Sequence, residues 1–257
     1  MLPNHAPLII AEQFATLEAL HPGRIDLGIG RAPGTDHVTA RALRRSADLN
    51  ATHFPDDVVE LIRYLLPAES PSHPAPVPGS GYLPEVWLLG SSTFSAQLAG
   101  MLGLPFSFAY HFAPALLDAA VESYRSHFEP SILLGEPHLM IAASVICAAS
   151  EEEAQWLSGS SALNILQRST GRLGPLPAPE EAAEHEFSAS DRAVIDDALA
   201  SHLIGDPTVV CAGLEALAAR TGANELMLST RVHDYAARER SYALVAESWD
   251  LTPAKAS

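Results

Sequence analysis

The stretch Arg24-Ile-Asp-Leu-Gly-Ile-Gly-Arg-Ala-Pro-Gly34 joins a strand pattern to a glycine-rich turn. Three aliphatic residues alternate with three smaller or polar ones, namely Ile25, Leu27 and Ile29 against Asp26, Gly28 and Gly30. This alternation predicts a β-strand over residues 24–30 with one bulky face and one bare face that leaves room for another group. Arg31 follows directly, where its planar guanidinium could bind a phosphate through two hydrogen bonds. The alternative to a ligand site is that these residues form a buried strand followed by a turn, with Arg31 facing solvent.

The composition is that of a soluble globular protein with one large core or two smaller ones. The 257 residues are 47% hydrophobic and 18% charged, and the formal net charge is -16. Such a surface repels nucleic acid and anionic membranes, so neither is an expected partner, and an anionic ligand would need a local basic site. No apolar run reaches the length of a membrane span and no signal-peptide pattern opens the chain, which favours a cytoplasmic location. Cys147 and Cys211 lie far apart and outside any Cys/His motif, so neither a disulfide nor a metal site is expected.

Strand-like and helix-like segments alternate along the chain. The predicted strands lie at residues 24–30, 85–89, 105–112, 138–147 and 225–230. The predicted helices lie at residues 8–20, 38–48, 55–66, 94–102, 114–128, from 151 onwards, 207–222 and 235–248. Strands joined by helices pair in parallel, as in a doubly wound sheet or a β/α barrel. Gly28, Gly30 and Gly34 do not match the Gly-x-Gly-x-x-Gly spacing, which disfavours a classical dinucleotide fold.

Two segments interrupt this alternation. Residues 67–84 contain six prolines and two glycines, a composition that predicts a loop. Residues 151–205 are predicted to form an insertion of helices and loops, because their central part is rich in glycine, proline and glutamate.

Polar side chains follow the ends of three predicted strands. Arg31 comes after the first strand, Gly90-Ser91-Ser92 after the second, and His111 lies at the far end of the third, on its small face. Serine hydroxyls and backbone N–H groups at a helix start bind anions, although these serines could equally cap the helix that begins near Phe94. His111 could contact a ligand or be a hydrogen-bonded histidine at a strand end. The pair His233-Asp234 lacks an accompanying Gly-x-Ser-x-Gly motif, which disfavours a hydrolase.

A series of short motifs resembles a known family when the motifs are taken in order. They are Leu2-Pro-Asn-His-Ala-Pro-Leu8 with Ala11-Glu-Gln-Phe14, Gly28-Ile-Gly-Arg31, Trp87-Leu-Leu-Gly-Ser-Ser92 with Ser95-Ala96, Phe108-Ala-Tyr-His-Phe112, Leu203-Ile-Gly-Asp-Pro207 and Gly222-Ala-Asn-Glu-Leu226. Together they resemble the bacterial luciferase-like monooxygenases, a class of flavin-dependent oxidoreductases, in the branch similar to alkanal monooxygenase. The resemblance spans nearly the whole chain.

The resemblance implies an α/β fold built as a (β/α)8 barrel, with the site at the carboxyl ends of the strands. Because the sequence predicts five strands, residues 1–257 are expected to form a single incomplete domain, a partial TIM-type barrel whose first strands are missing. The missing strands would occupy about 90 residues, and we expect in-frame coding sequence upstream of Met1 to supply them. A non-catalytic, N-terminally truncated fragment is one alternative.

The resemblance also assigns a cofactor. Arg31 and the Gly90-Ser91-Ser92 turn would bind the phosphate of flavin mononucleotide (FMN). Gly28 and Gly30 would keep the strand surface flat beside the isoalloxazine ring. Luciferases proper carry a cysteine where this chain has Gly30, which argues against light production.

The remaining implications of the resemblance concern the reaction. His111 is the catalytic candidate, in contact with flavin or substrate, and Asn4 and His5 would bind substrate at the pocket rim. Reduced FMN, supplied by a separate flavin reductase, would react with O2 and oxidise a small, aldehyde-like organic substrate. A deazaflavin-dependent enzyme that transfers a hydride without oxygen is the alternative. The sequence leaves open whether the protein forms a homo-oligomer.

Overall fold

The computed structural model describes residues 1–32, 34, 39, 42, 53–67, 74–172 and 174–251. The chain divides into two compact units. The first comprises Met1–Phe108 and Asp118–His138, and the second comprises Ala109–Leu117 and Leu139–Ser257. Each unit contains parallel strands connected by helices, which confirms the predicted α/β class. The single barrel domain over residues 1–257 stays a prediction.

The first unit is built on three parallel strands, and only the last residue of the third strand, Ala109, is assigned to the second unit. They are β1 (Asp26–Gly30), β2 (Glu85–Gly90) and β3 (Phe106–Ala109). β2 lies between the other two, with Gly30 paired to Leu89 and Leu89 paired to Ser107. The carboxyl ends of the three strands therefore lie side by side. The helices are α1 (Pro7–Leu20), α2 (Phe54–Leu65), α3 (Thr93–Met101) and α4 (Leu117–Ser126).

The second unit is also built on three parallel strands. They are β4 (Leu139–Cys147), β5 (Leu203–Gly205) and β6 (Glu225–Ser229). β4 pairs with β6 along its first part, from Met140 to Ser144, and with β5 along its last part, from Val145 to Cys147. The helices are α5 (Glu151–Ser169), α6 (Pro179–Glu184), α7 (Ala189–Leu199), α8 (Pro207–Thr221) and α9 (Tyr235–Ser248).

Local sequence explains where the helices of the second unit begin and end. The Ser150 hydroxyl accepts a hydrogen bond from Glu153 N at 3.2 Å, and the Asp206 and Asp234 carboxylates accept from Val209 N at 3.0 Å and Ala237 N at 2.7 Å. Such N-caps satisfy backbone donors that the first turn leaves free. Gly222 has a φ of 58° and ends α8 in the left-handed conformation that glycine adopts without strain.

Three predicted boundaries are wrong. The strand expected to continue to Phe112 ends at Ala109, because Phe112 N and Ala113 N both donate to Ala109 O, at 3.0 and 3.3 Å, and turn the chain. The helix expected from residue 114 opens with a 3-10 turn, Pro114–Leu116, before α4. The expected insertion at 151–205 ends in β5, a strand that was not predicted because three residues are too few to show a period.

Two further predictions fall partly outside the described residues. Of the helix expected at residues 38–48, only Thr39 and Ala42 are described. Of the proline-rich segment 67–84, Pro67 and residues 74–84 are described, and these contain neither helix nor strand. Within the described ranges, no helix is long and apolar enough to cross a membrane.

Candidate functional site

The bare face of β1 is visible in the first unit. Leu27 and Ile29 are buried on one face, while Gly28 on the other face is exposed. A Cβ atom at Gly28 would approach Leu89 Cδ1 of β2 to 2.9 Å. Leu89 itself keeps 41% of its surface exposed, so the two strands present an apolar surface beside the glycines.

Arg31 lies where β1 ends, and it is only half-buried. Its Cζ atom lies 4.5 Å from the centre of the Phe94 ring, in a cation–π contact. Since Phe94 belongs to the first turn of α3, this contact holds the guanidinium at the amino-terminal end of that helix. A cation and the positive end of a helix dipole both favour an anion at the same place.

The turn between β2 and α3 has a structural role, in capping and packing α3, besides any role in ligand binding. Ser92 Oγ accepts a hydrogen bond from Ser95 N at 3.5 Å, which makes Ser92 the N-cap of α3. This bond is long, and a hydroxyl oxygen has a second lone pair and a proton to offer. Ser91 is exposed beside it. A Cβ atom at Gly90 would clash with Ser95 of α3, so glycine is required here by helix packing.

The amino-terminal residues lie near the end of β1. Asn4 ends the 3-10 turn Leu2–Asn4 and is half-buried, whereas His5 is exposed. Met1 of the same segment lies beside Gly30, with its Cε and Sδ atoms each 3.7 Å from the position of a Cβ atom at that glycine. The substrate roles of Asn4 and His5 stay predictions.

His111 belongs to the second unit and lies in the turn after β3, not on the strand as predicted. Its Nδ1 atom is 2.8 Å from Ala142 O of β4, and its backbone N donates to the same oxygen at 3.3 Å. Because a carbonyl oxygen only accepts, Nδ1 carries the proton, and in the neutral ring Nε2 is left as an acceptor. The ring is thus held in place and keeps one basic nitrogen for a ligand.

His202 is a histidine with unusual surroundings that the sequence did not single out. It lies between α7 and β5, half-buried, and its buried Nδ1 atom has no hydrogen-bond partner in the part of the chain that the structure describes. Burial, aided by the neighbouring His111 and Arg231, lowers the pKa of His202 to about 4. The ring is therefore neutral at physiological pH. No local motif marks this histidine, because only the fold brings it near His111.

Comparison with known proteins places the chain in a family. The model of the family described as luciferase-like monooxygenase matches residues 1–225. A protein of Escherichia coli K12 named luciferase-like monooxygenase is 44% identical over 247 residues, which cover 96% of this chain and 74% of that protein. The chain belongs to the luciferase-like monooxygenase family.

Solved structures agree with this membership. The crystal structure of apo-MsnO8 matches 99% of this chain and 77% of its own, with a TM-score of 0.87 and 32% sequence identity. The oxygenating constituent of 3,6-diketocamphane monooxygenase from Pseudomonas putida, solved with FMN, shares the fold at 20% identity over 96% of this chain and 77% of the other, with a TM-score of 0.59. An F420-dependent secondary alcohol dehydrogenase also has a TM-score of 0.59, at 14% identity over 97% of this chain and 76% of its own.

The first unit holds residues of the kinds that suit a flavin phosphate and ring system. The Arg31 guanidinium packs on Phe94 in the first turn of α3, and a guanidinium and a helix amino terminus are both groups that bind phosphate. Gly28 and the exposed part of Leu89 give an apolar surface of the kind that a planar ring system packs against. The residues present therefore suit FMN, and they equally suit another flavin that carries a phosphate.

Proposed function

We propose that this protein is a flavin-dependent monooxygenase that uses reduced FMN and O2 to oxidise a small, aldehyde-like organic substrate. The contact of Arg31, which follows the glycine-bearing strand β1, with Phe94 in the first turn of α3 is the observation that carries the proposal. A protein with a formal net charge of -16 needs such a local cation to bind an anionic cofactor. Family membership and the fold shared with an FMN-bound monooxygenase support the same conclusion.

Residues of the first unit bind and orient the cofactor in this proposal. Arg31 and Ser92, with backbone N–H groups of the Gly90-Ser91-Ser92 turn, hold the phosphate. The exposed surface at Gly28 receives the ring system, and the buried Gly30 keeps β1 flat beside it. Bound FMN supplies the redox chemistry and the reaction with oxygen.

Other residues act towards the substrate. The Nε2 atom of His111 accepts a hydrogen bond or a proton from the reacting group, while Ala142 O fixes the orientation of the ring. Asn4 and His5 contact the substrate at the rim. A separate flavin reductase supplies reduced FMN, a partner suggested by the description of the Pseudomonas putida protein as an oxygenating constituent.

Deazaflavin-dependent hydride transfer is the second candidate. The fold shared with the F420-dependent secondary alcohol dehydrogenase favours it. The phosphate site described above does not separate the two cofactors, because both carry a phosphate. The difference lies in the requirement for oxygen.

Cofactor titration followed by turnover tests the proposal. The full chain is titrated with reduced FMN and with reduced F420, and product formation from a small aldehyde is then followed with each cofactor in air and without oxygen. We expect saturable FMN binding and oxygen-dependent formation of the carboxylic acid. Binding of F420 in preference to FMN, with oxygen-independent turnover, would support the second candidate. Binding of neither cofactor would contradict both.

A further inference from the structure

A cavity lies in the second unit, where β6 ends. Its volume is about 330 Å³, which is the size of a small-molecule site. Three arginines line it from different parts of the chain: Arg168 from α5, Arg231 from the turn after β6 and Arg238 from α9. The rest of the described wall consists of the polar residues Asn164, Ser229 and Thr230 and of Gly174, Leu176 and Val232.

The charge of this cavity is opposite to that of the whole chain. The sequence has 15 basic residues against 31 acidic ones, yet three of the basic residues line this one cavity and no acidic residue is among its described lining. Within the described ranges, none of the three guanidinium groups forms an ion pair with a carboxylate. Positive charge is therefore concentrated at this cavity, and no described carboxylate is paired with it.

Hydrogen bonds hold part of the cavity wall in place before any ligand arrives. Arg231 Nη2 donates to Oδ1 of the buried Asn164 at 2.8 Å, and the Arg231 carbonyl accepts from Ser161 Oγ at 2.9 Å. Thr230 N donates to the Tyr242 hydroxyl oxygen at 2.9 Å. A guanidinium has five N–H donors, so Arg231 keeps donors for a ligand while its position is fixed. Such preorganisation reduces the entropic cost of binding.

We propose that this cavity binds the oxyanion group, carboxylate or phosphate, of a small organic ligand. Guanidinium groups recognise both through paired hydrogen bonds, and the cavity has room for a ligand larger than the anion alone. All lining residues belong to the second unit, whereas Arg31 belongs to the first. The proposal therefore does not depend on flavin binding, and the two can fail separately.

Anion titration of single-charge variants tests the proposal. The flavin-free full chain is titrated calorimetrically with inorganic phosphate and with succinate, so that the two oxyanion chemistries are distinguished. We expect saturable binding of at least one of them, weakened by added salt. In Arg168→Gln and Arg238→Gln the dissociation constant should rise about tenfold or more, as expected for loss of a charged hydrogen bond. The control is Arg172→Gln, which removes the same charge from an exposed residue outside the cavity and should leave the constant unchanged.

Three results would overturn the proposal. The first is the absence of saturable binding for both anions in the unmodified protein. The second is an equal loss of affinity in Arg172→Gln, which would indicate a general charge effect. The third is a loss of FMN affinity in Arg168→Gln, because the cavity would then serve the flavin phosphate and not a separate ligand.

Discussion

At the scale of single residues, His202 shows how burial lowers the pKa of a ring whose Nδ1 atom has no hydrogen-bond partner among the described residues. The folded protein keeps the ring neutral down to about pH 4, whereas a histidine in the unfolded chain takes up a proton near pH 6.5. Unfolding therefore binds a proton in this interval. The contribution of His202 to stability is complete above about pH 6.5 and is lost as the pH falls towards 4.

Replacement of His202 tests this dependence. In His202→Gln, the free energy of unfolding should fall less steeply between pH 6.5 and pH 4 than in the unmodified protein. Urea unfolding followed by circular dichroism at half-unit pH steps measures the difference. Identical slopes for the two proteins would show that His202 titrates normally in the folded state.

Cys147 gives a second residue-scale prediction. Its side chain is 1% exposed in β4, and burial raises the pKa of the thiol to about 11. Because the thiolate is the reactive form, Cys147 should resist alkylation in the native protein and react only after unfolding. Mass spectrometry of the Cys211→Ser variant after iodoacetamide treatment isolates this thiol. Rapid native labelling of that variant would contradict the packing described for β4.

At the scale of elements, the contact between β2 and α3 positions the proposed phosphate site. A Cβ atom at Gly90 would clash with Ser95, so Gly90→Ala forces α3 away from the sheet. We expect a loss of about 1 to 3 kcal/mol in the free energy of unfolding, the usual cost of overpacking. Urea unfolding measures it, with Gly135→Ala as control, because a Cβ atom there meets nothing within 4 Å. Equal stability of the two variants would contradict the close packing of α3.

Most elements could be predicted from sequence because their signals are local. The alternation of Leu27 and Ile29 with small residues identified β1, and the sequence Asp206-Pro207 marked the start of α8. β3 was predicted too long, because its end depends on a turn after Ala109 and on hydrogen bonds from His111 to Ala142, which is 31 residues further along the chain. Long-range contacts of this kind leave no periodic trace in the sequence.

The candidate site likewise contains residues that local sequence signals identify and residues that only the folded structure identifies. Arg31 and Ser92 could be found because each follows a recognisable strand, and the structure adds the contact with Phe94 that positions the arginine. The cavity arginines could not be found, because Arg168 and Arg231 come from distant parts of the chain and share no motif. Likewise, His202 becomes unusual only through burial beside His111.

At the scale of the whole molecule, an acidic chain carries local groups of cationic residues. The net charge of -16 opposes the binding of any anion. Affinity for FMN must therefore come from particular residues, and Arg31 is the residue to which the account assigns it. Riboflavin lacks the phosphate and otherwise has the same ring system, so it isolates this contribution.

The most direct test measures the affinities of FMN and riboflavin for the unmodified chain, Arg31→Ala and the control Arg24→Ala. Arg24 is exposed just before β1, so its loss removes the same charge away from the strand's carboxyl end. The account predicts that Arg31→Ala weakens FMN binding by about 1.5 to 3 kcal/mol, the value of a hydrogen bond to a charged group. Riboflavin binding should not change in either variant. Unchanged FMN affinity in Arg31→Ala, or an equal loss for riboflavin, would contradict the proposed phosphate site.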